Sequence, residues 1–428
     1  MDSAQEILSP RLNQLQQALK DGVPNALEAF WSTIEQEGTP LIEALDSDDD
    51  QCLVTFLWHS EEQDGYVLVM GGLNPYRYRD GKWSIEEGLM DRLGQTNLFF
   101  KSYRVRKDAR LTYRFWPTDI PMRYFKQEGW DSRKTTRQPD PLNPRQYEEP
   151  ANPQFDSPGL VESILELPDA PPQSWIQKEA SIPEGTLNLH HFESETLADK
   201  RRIWVYTPAG YPKGLHNTDY SLLLLFDGWD YIHLIPTPTI LDNLIHAQKI
   251  PPLIAVFVDK ADPKTRSKEL HCYPPFAHFI ADELIPWARE VYQVTEEPSQ
   301  SIIGGLSAGG EGALYMAFTH PEIFGHVISQ DGAFWWAPQD DLEPKEWLAR
   351  QIAQSERRSI SIYLEAGLLV PYHDNVPLNN LDVNRHMRNV LQAKGYPLVY
   401  SEYYGGHHWI NWRGSLGDAL LALKLDTV

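Results

Sequence analysis

Apolar positions along the chain change period twice. From Pro10 to about Glu43 they recur at helical spacing, with Leu12, Leu15 and Leu19 and then Ala26, Phe30 and Ile34 on recurring faces, which predicts a helical N-terminal segment over 1–45. From Gln51 the period shortens. Cys52–Trp58, Tyr66–Met70, Asn97–Tyr103 and Leu111–Trp116 are short runs rich in β-branched and aromatic residues, separated by turn formers, and they predict a β-sandwich domain over 46–132. Its tryptophans and tyrosines are read as core and inter-sheet packing in preference to a carbohydrate- or aromatic-binding face. Prolines and aspartates then dominate, as in Gln138–Pro144 and Leu167–Pro172, so 133–180 is expected to be a linker laid over the surface.

After the linker, strand and helix patterns alternate. Leu187–Phe192, Arg202–Thr207, Leu222–Phe226, Leu253–Val258, Ser301–Gly304, Val327–Gln330, Ile360–Leu364 and Leu398–Tyr403 are candidate strands, most of the later ones continuously apolar, as strands buried on both faces of a mostly parallel sheet are. Helical patterns fall between or after them at Ile240–Ala247, Phe276–Val291, Leu381–Ala393 and Leu416–Leu423. The prediction is an α/β domain over 181–428.

Within it, Gly305-Leu306-Ser307-Ala308-Gly309 joins a buried strand to a helix expected from about Gly310 to Phe318. A serine displayed on so sharp a turn sits in strained backbone and tolerates no bulk beside it, which accounts for the flanking glycines; this is the nucleophile elbow of an α/β-hydrolase. In that fold the general-base histidine follows the last strand, where Tyr403-Tyr404-Gly405-Gly406-His407-His408 is read as a loop. His407, directly after the glycine pair, is the choice over His408, whose expected role is packing or substrate contact. An oxyanion needs two amides: that of Ala308, after the nucleophile, and that of Trp229, in the turn Asp227-Gly228-Trp229 closing an earlier strand. Asp227 and Gly228 are equally consistent with making that turn and nothing more.

Composition narrows the class. Of 428 residues 23% are charged and 41% apolar, no apolar run is long enough to span a bilayer, and the first residues, Met1-Asp2-Ser3-Ala4-Gln5-Glu6, lack a basic stretch before an apolar one. Two cysteines, Cys52 and Cys272, are too few for a disulfide framework, so a reducing cytoplasm is expected. A formal charge of −22 repels nucleic acid and anionic membrane, and it obliges any anionic substrate to find a local basic pocket.

Leu225–Trp229, Thr265–Leu270, the elbow, Ser329–Trp336, Leu364–Gly367 and Gly405–His407, together with Asp140–Pro144, Leu165–Pro171 and Arg201–Val205 upstream, resemble the enterochelin (enterobactin) esterases over nearly the whole chain. The resemblance implies an immunoglobulin-like sandwich followed by an α/β-hydrolase domain of the esterase D type. It further implies cytoplasmic hydrolysis of the ester bonds of a ferric catecholate trilactone siderophore, releasing iron that arrives with the substrate; no metal or organic cofactor of the protein's own is expected. Arg266 and Arg413 are candidates for the basic pocket, or Arg266 is a structural partner of Glu269. The alternatives kept open are a feruloyl-carbohydrate or thioester hydrolase of the same type, and a siderophore-binding protein without turnover.

One departure bears on the mechanism. Members of the family tend to carry a glutamate three positions after the glycine of Glu365-Ala366-Gly367, and here that position is Val370, while Ser329-Gln330-Asp331-Gly332 has an aspartate where the family commonly has serine. Adjacent strand ends face the same histidine, so Asp331 is expected to be the relocated third member of the triad with Ser307 and His407. A Ser–His dyad, a merely turn-forming Asp331, and Asp374 as the acid remain the competing readings.

Overall fold

The computed structural model describes residues 8–45, 49–61, 65–73, 77–79, 82–84, 86–119, 137–211, 219–339, 341, 345–369 and 379–425. Two helices come first, α1 (Pro10–Lys20) and α2 (Ala26–Glu37). Ser9 sets the start of α1: its Oγ accepts the Leu12 N–H, and Pro10 occupies the first helical position, where a missing N–H has no partner to lose.

Ten strands follow, β1 (Leu41–Ala44), β2 (Gln51–His59), β3 (Tyr66–Gly71), β4 (Arg77–Arg79), β5 (Lys82–Ser84), β6 (Asp91–Arg92), β7 (Leu98–Arg106), β8 (Arg110–Thr118), β9 (Gln146–Glu149) and β10 (Leu160–Glu166). Two antiparallel sheets, β1-β2-β7-β6 and β3-β8-β10-β9, form the sandwich, and β4 and β5 make a separate hairpin. Strand β2 is apolar on both faces because both are covered. Val54 and Phe56 meet Phe115 and Leu165 of the opposite sheet in the core, while Leu57 packs with Phe100 beneath Leu12, Leu15 and Ile34 of the two helices.

The sandwich is larger than its apolar runs indicate. The stretch 133–180, expected to be a linker, contributes β9 and β10, with Leu165 of β10 paired to Leu111 of β8. Its prolines fall in the turns and leave Gln146–Glu149 and Leu160–Glu166 proline-free, so the ladder bonds survive. The turn that leads into β9 is pinned from inside: the Tyr113 hydroxyl donates to Asp140 Oδ2 at 2.8 Å and accepts from Asn143 Nδ2 at 3.0 Å. Leu41–Ala44, counted in the helical segment, is likewise a strand on β2.

The second unit is one eight-stranded sheet. Its members are β11 (Thr186–Ser194), β12 (Asp199–Thr207), β13 (Ser221–Phe226), β14 (Leu253–Val258), β15 (Ser301–Leu306), β16 (His326–Gln330), β17 (Ser361–Gly367) and β18 (Leu398–Tyr403), in the order β11-β12-β14-β13-β15-β16-β17-β18. From β14 to β18 every pairing is parallel; β11 and β12 are antiparallel at one edge. The connecting helices are α3 (Gly228–His233), α4 (Thr237–His246), α5 (Pro263–Leu270), α6 (Pro274–His278), α7 (Ile285–Tyr292), α8 (Ala308–Thr319), α9 (Trp347–Gln354), α10 (Asn380–Ala393) and α11 (Trp409–Leu423). Alternate residues of β13 serve the two faces: Leu222, Leu224 and Phe226 pack with residues of α5 to α10, and Leu223 and Leu225 with residues of α3, α4 and α11. Each such fully buried side chain is worth about 1.5–3 kcal/mol of transfer free energy, so covering both faces is what makes continuous apolar strands stable here. Helix α11 begins at Trp409, seven positions before the periodicity of Leu416–Leu423 announces it, so the loop after β18 is short.

Candidate active site

Strands β13, β15 and β16 are neighbours, and each ends in a residue held at positive φ: Asp227 (54°), Ser307 (54°) and Asp331 (56°). Non-glycine residues avoid this region, and three at adjacent strand ends mark where the fold stores backbone strain. Ser307 is the tightest turn, with ψ at −123°. It is also the one residue between Ser301 and Leu314 that is not buried. The neighbouring glycines are steric necessities: a Cβ on Gly305 would lie 2.4 Å from the carbonyl carbon of Gly309, and one on Gly310 would lie 2.6 Å from Ser329 Oγ.

The turn after β16 brackets the elbow. Ser307 N–H donates to Gln330 O and Ser307 O accepts from Ala333 N–H, both at 2.9 Å. Asp331, fully buried between those two contacts, sends its carboxylate the other way: Oδ2 lies 3.0 Å from His407 Nδ1 and accepts from the Tyr403 hydroxyl at 3.2 Å, and Oδ1 accepts the Gly367 N–H at 3.3 Å. These donors compensate a carboxylate taken out of water. Trp412 completes the support, its indole N–H donating to Tyr403 Oη at 3.0 Å and its ring meeting the His407 ring edge-on at 4.7 Å. Asn380 Nδ2 lies 3.3 Å from Asp331 O and 3.2 Å from His407 Nδ1. Val370 and Asp374 lie outside the described residues.

Ala308 opens α8, where an amide has no intrahelical acceptor and is free to serve a ligand. Trp229 occupies the second position of α3, and its N–H is directed to the buried carboxylate of Asp259, which also takes the Arg202 guanidinium at 2.6 Å. A protein acceptor therefore stands at the second expected oxyanion donor. Arg266 clamps Asp227 with Nε and Nη2, each at 2.5 Å, and its expected partner Glu269 belongs instead to buried Arg201. Arg413 sits in the seam between the domains, where its Nε donates to Gln173 Oε1 at 2.8 Å, its guanidinium lies over Tyr147, and burial pushes its pKa down.

A cavity of about 280 Å³ opens beside His407, walled by Gly71, Leu111, Arg114 and Glu162 of the sandwich and by Leu369 and His408 of the catalytic unit. Neither Arg266 nor Arg413 is among its lining residues. Among the described residues its cation is Arg114, in a strand whose sequence reads as ordinary core, so only the docking of the two domains reveals it. Among the described residues, Glu149, Glu162 and His408 alone have donor atoms close enough together to hold a metal, all within 4.8 Å. His408 Nδ1 accepts the Ile410 N–H at 3.1 Å, so the neutral ring carries its proton on Nε2, 2.9 Å from Glu162 Oε2. That nitrogen presents a hydrogen where a cation requires a lone pair.

Two buried acids behind the site went unnoticed in the sequence. Glu365, pushed up to about 8 by burial, receives the Ser415 and Tyr363 hydroxyls and the Gln330 amide. Glu311, on α8, is raised by burial and lies 2.5 Å from His271 Nδ1, whose own pKa falls to about 4 through burial and then the Arg266 charge. Both shifts favour the neutral forms, so Glu311 and His271 share a hydrogen bond and not an ion pair.

Comparison with known proteins agrees with this architecture. The Esterase family model matches residues 194–423, and the model described as Enterochelin esterase, N-terminal, matches 53–176, a span that takes in β9 and β10. The iron(III) enterobactin esterase of Dickeya dadantii is 29% identical over 426 residues, covering 91% of each chain, and that of Escherichia coli K12 is 28% identical over 397 residues, covering 88% of this chain and 92% of its own. The crystal structure of the ferric enterobactin esterase of Salmonella typhimurium superposes with a TM-score of 0.73 at 26% identity, over 92% of this chain and 98% of that one. The Shigella flexneri enterobactin esterase, crystallised in the presence of enterobactin, gives 0.71 at 26% identity, over 92% and 97%. With a sandwich and a catalytic sheet that both match, the chain belongs to the enterochelin esterase family of carboxylic ester hydrolases.

Proposed function

We propose that this esterase opens the ester bonds of a ferric catecholate trilactone of the enterobactin type, in the cytoplasm, and so loosens the hold of the ligand on iron. The observation that carries the mechanism is the 3.0 Å contact between Asp331 and His407 Nδ1, built on the same turn that brackets Ser307. Asp331 accepts the Nδ1 proton and leaves Nε2 of His407 free to take the proton of the Ser307 hydroxyl as it attacks the ester carbonyl. His407 then protonates the departing alcohol, and water, activated by the same nitrogen, releases the acyl group. The Ala308 N–H stabilises the oxyanion; the Trp229 N–H, expected as the second donor, serves it only where its bond to Asp259 is given up. Arg266, through the nitrogen not engaged by Asp227, and Arg413 at the seam supply positive potential for an anionic complex in a chain of charge −22, whereas Arg114 at the cavity is offset by Glu162.

A fluorophosphonate probe tests the assignment, since it labels only a serine activated by its base. Wild type is expected to label at Ser307, and Ser307→Ala to lose label and ester hydrolysis while its melting temperature stays put, because a small, partly exposed side chain contributes little to packing. Near-normal turnover by Ser307→Ala would overturn the mechanism.

A further inference from the structure

The loop bearing His407 lies between the domains, and its outer side is held by the sandwich and the segment that follows it. Before His407, the Arg110 N–H on β8 donates to Tyr404 O at 3.3 Å and the Arg106 guanidinium lies over the Tyr404 ring at 4.8 Å. After it, Ile410 packs on Tyr147 and Ile164, and Gln173 Nε2 donates to Ile410 O at 2.6 Å. In the middle, His408 reaches Glu162 of β10 at 2.9 Å, with Glu149 of β9 at 3.7 Å.

From this juxtaposition we infer that Glu162 and His408 form a positioning pair through which the sandwich domain sets the catalytic histidine next door. The coupling works through the tether itself, and the tautomer of His408 sets its direction. Its Nδ1 caps α11 by accepting the Ile410 N–H, and an imidazole with Nδ1 as acceptor needs its proton on Nε2. Glu162 Oε2, buried, 2.9 Å from Nε2 and without another hydrogen-bond partner among the described residues, is the acceptor within reach of that proton, while Arg114 Nε, 3.5 Å from the other carboxylate oxygen, steadies Glu162 without competing for the same atom. The capped state fixes the backbone from 408 to 410, one residue from His407, and holds the first turn of α11, from which Trp412 buttresses the His407 ring. Without the tether, the loop keeps its Asp331 bond on one side and its Tyr404 and Ile410 contacts at either end, but its middle, next to His407, loses its outer stop. A displacement of His407 Nε2 by about 1 Å is enough to slow proton transfer about 10- to 100-fold.

The inference rests on His407 being the base, and the test separates the two. His408→Asn, Glu162→Ala, Glu162→Gln, the double variant His408→Asn/Glu162→Ala and His407→Ala are compared on a short aryl ester, p-nitrophenyl butyrate. Asparagine is itself a favoured N-cap, so His408→Asn keeps the helix start and removes the tether, together with the edge contact of the ring to Tyr147. His408→Asn and Glu162→Ala are each expected to lower kcat about 10- to 100-fold with KM nearly unchanged and, for His408→Asn, an unchanged melting temperature. Glu162→Gln, whose amide oxygen can still accept from Nε2, should recover most of the rate, and the double variant should be no slower than the slower single one. Full kcat in His408→Asn, losses that add in the double variant, Glu162→Gln as slow as Glu162→Ala, or a change in KM alone would overturn the inference. Retained turnover in His407→Ala would overturn the base assignment itself; an inactive His407→Ala beside a fully active His408→Asn would overturn only the positioning role.

Discussion

Replacing Asp331 by asparagine isolates what the buried carboxylate does. The side chain keeps its shape but has one acceptor oxygen and one amide nitrogen, and the site dictates how they are shared. Oxygen must face the Gly367 N–H, since a donor there would leave two buried donors opposed at a cost of about 1–3 kcal/mol. The amide nitrogen then faces Tyr403 Oη and His407 Nδ1, where the carboxylate accepted at 3.2 and 3.0 Å. A donor opposite Nδ1 makes that nitrogen the acceptor and moves the imidazole proton to Nε2, the atom that must take the serine proton. The wrong tautomer costs about 10⁴-fold in turnover in a serine protease of equivalent geometry, or about 5.4 kcal/mol of barrier, and a loss of that order is expected here. Stability should hold, since the variant exchanges a buried anion for a neutral amide. Initial rates on p-nitrophenyl butyrate, with a melting curve on the same preparation, measure both. Turnover within about threefold of wild type in a folded Asp331→Asn would refute the triad and leave a dyad or Asp374.

Gly305→Ala forces a Cβ to within 2.4 Å of the Gly309 backbone, which no side-chain rotation relieves; a loss of about 3 kcal/mol in urea unfolding is expected, with fluorophosphonate labelling reduced in parallel, and wild-type stability would contradict the packing of the elbow. Glu365 is raised from 4.5 to about 8, so its contribution to stability is fully present below about 4.5 and is lost as pH rises through 8. Glu365→Gln removes that loss: the two proteins should melt alike near pH 5 and diverge by up to about 1.4 kcal/mol per pH unit toward pH 8, the variant being the more stable, whereas parallel curves would mean that Glu365 is ionised throughout.

Much of this architecture is written locally. The apolar runs of β13 and β14 end within a residue of where they were expected, because strands buried on both faces admit no polar interruption. Ser307 is legible for a similar reason, since its turn needs the very glycines that announce it. What the sequence conceals is decided by distant partners. Strands β9 and β10 are masked by prolines that prove to sit in turns. The first turn of α11 lacks periodicity because Trp409, Ile410 and Trp412 pack in several directions at once, against the sandwich, the sheet and His407. Arg266 finds Asp227, far away in sequence, and not Glu269, three positions on, because Glu269 turns inward to Arg201. Asp331 was visible only as a departure from a family pattern; its hydrogen bond to His407 depends on β16 lying beside β15 and on the chain returning 76 positions later.

The central claim, serine-dependent hydrolysis of a ferric catecholate trilactone, is tested most directly by mass spectrometry of the products formed from ferric enterobactin. Wild type is predicted to yield the linear trimer, dimer and monomer of dihydroxybenzoylserine, each opened ester gaining one water, while Ser307→Ala leaves the trilactone intact. An intact trilactone after incubation with wild-type protein that labels normally with fluorophosphonate would contradict the substrate assignment, and equal hydrolysis by both proteins would contradict the role of Ser307.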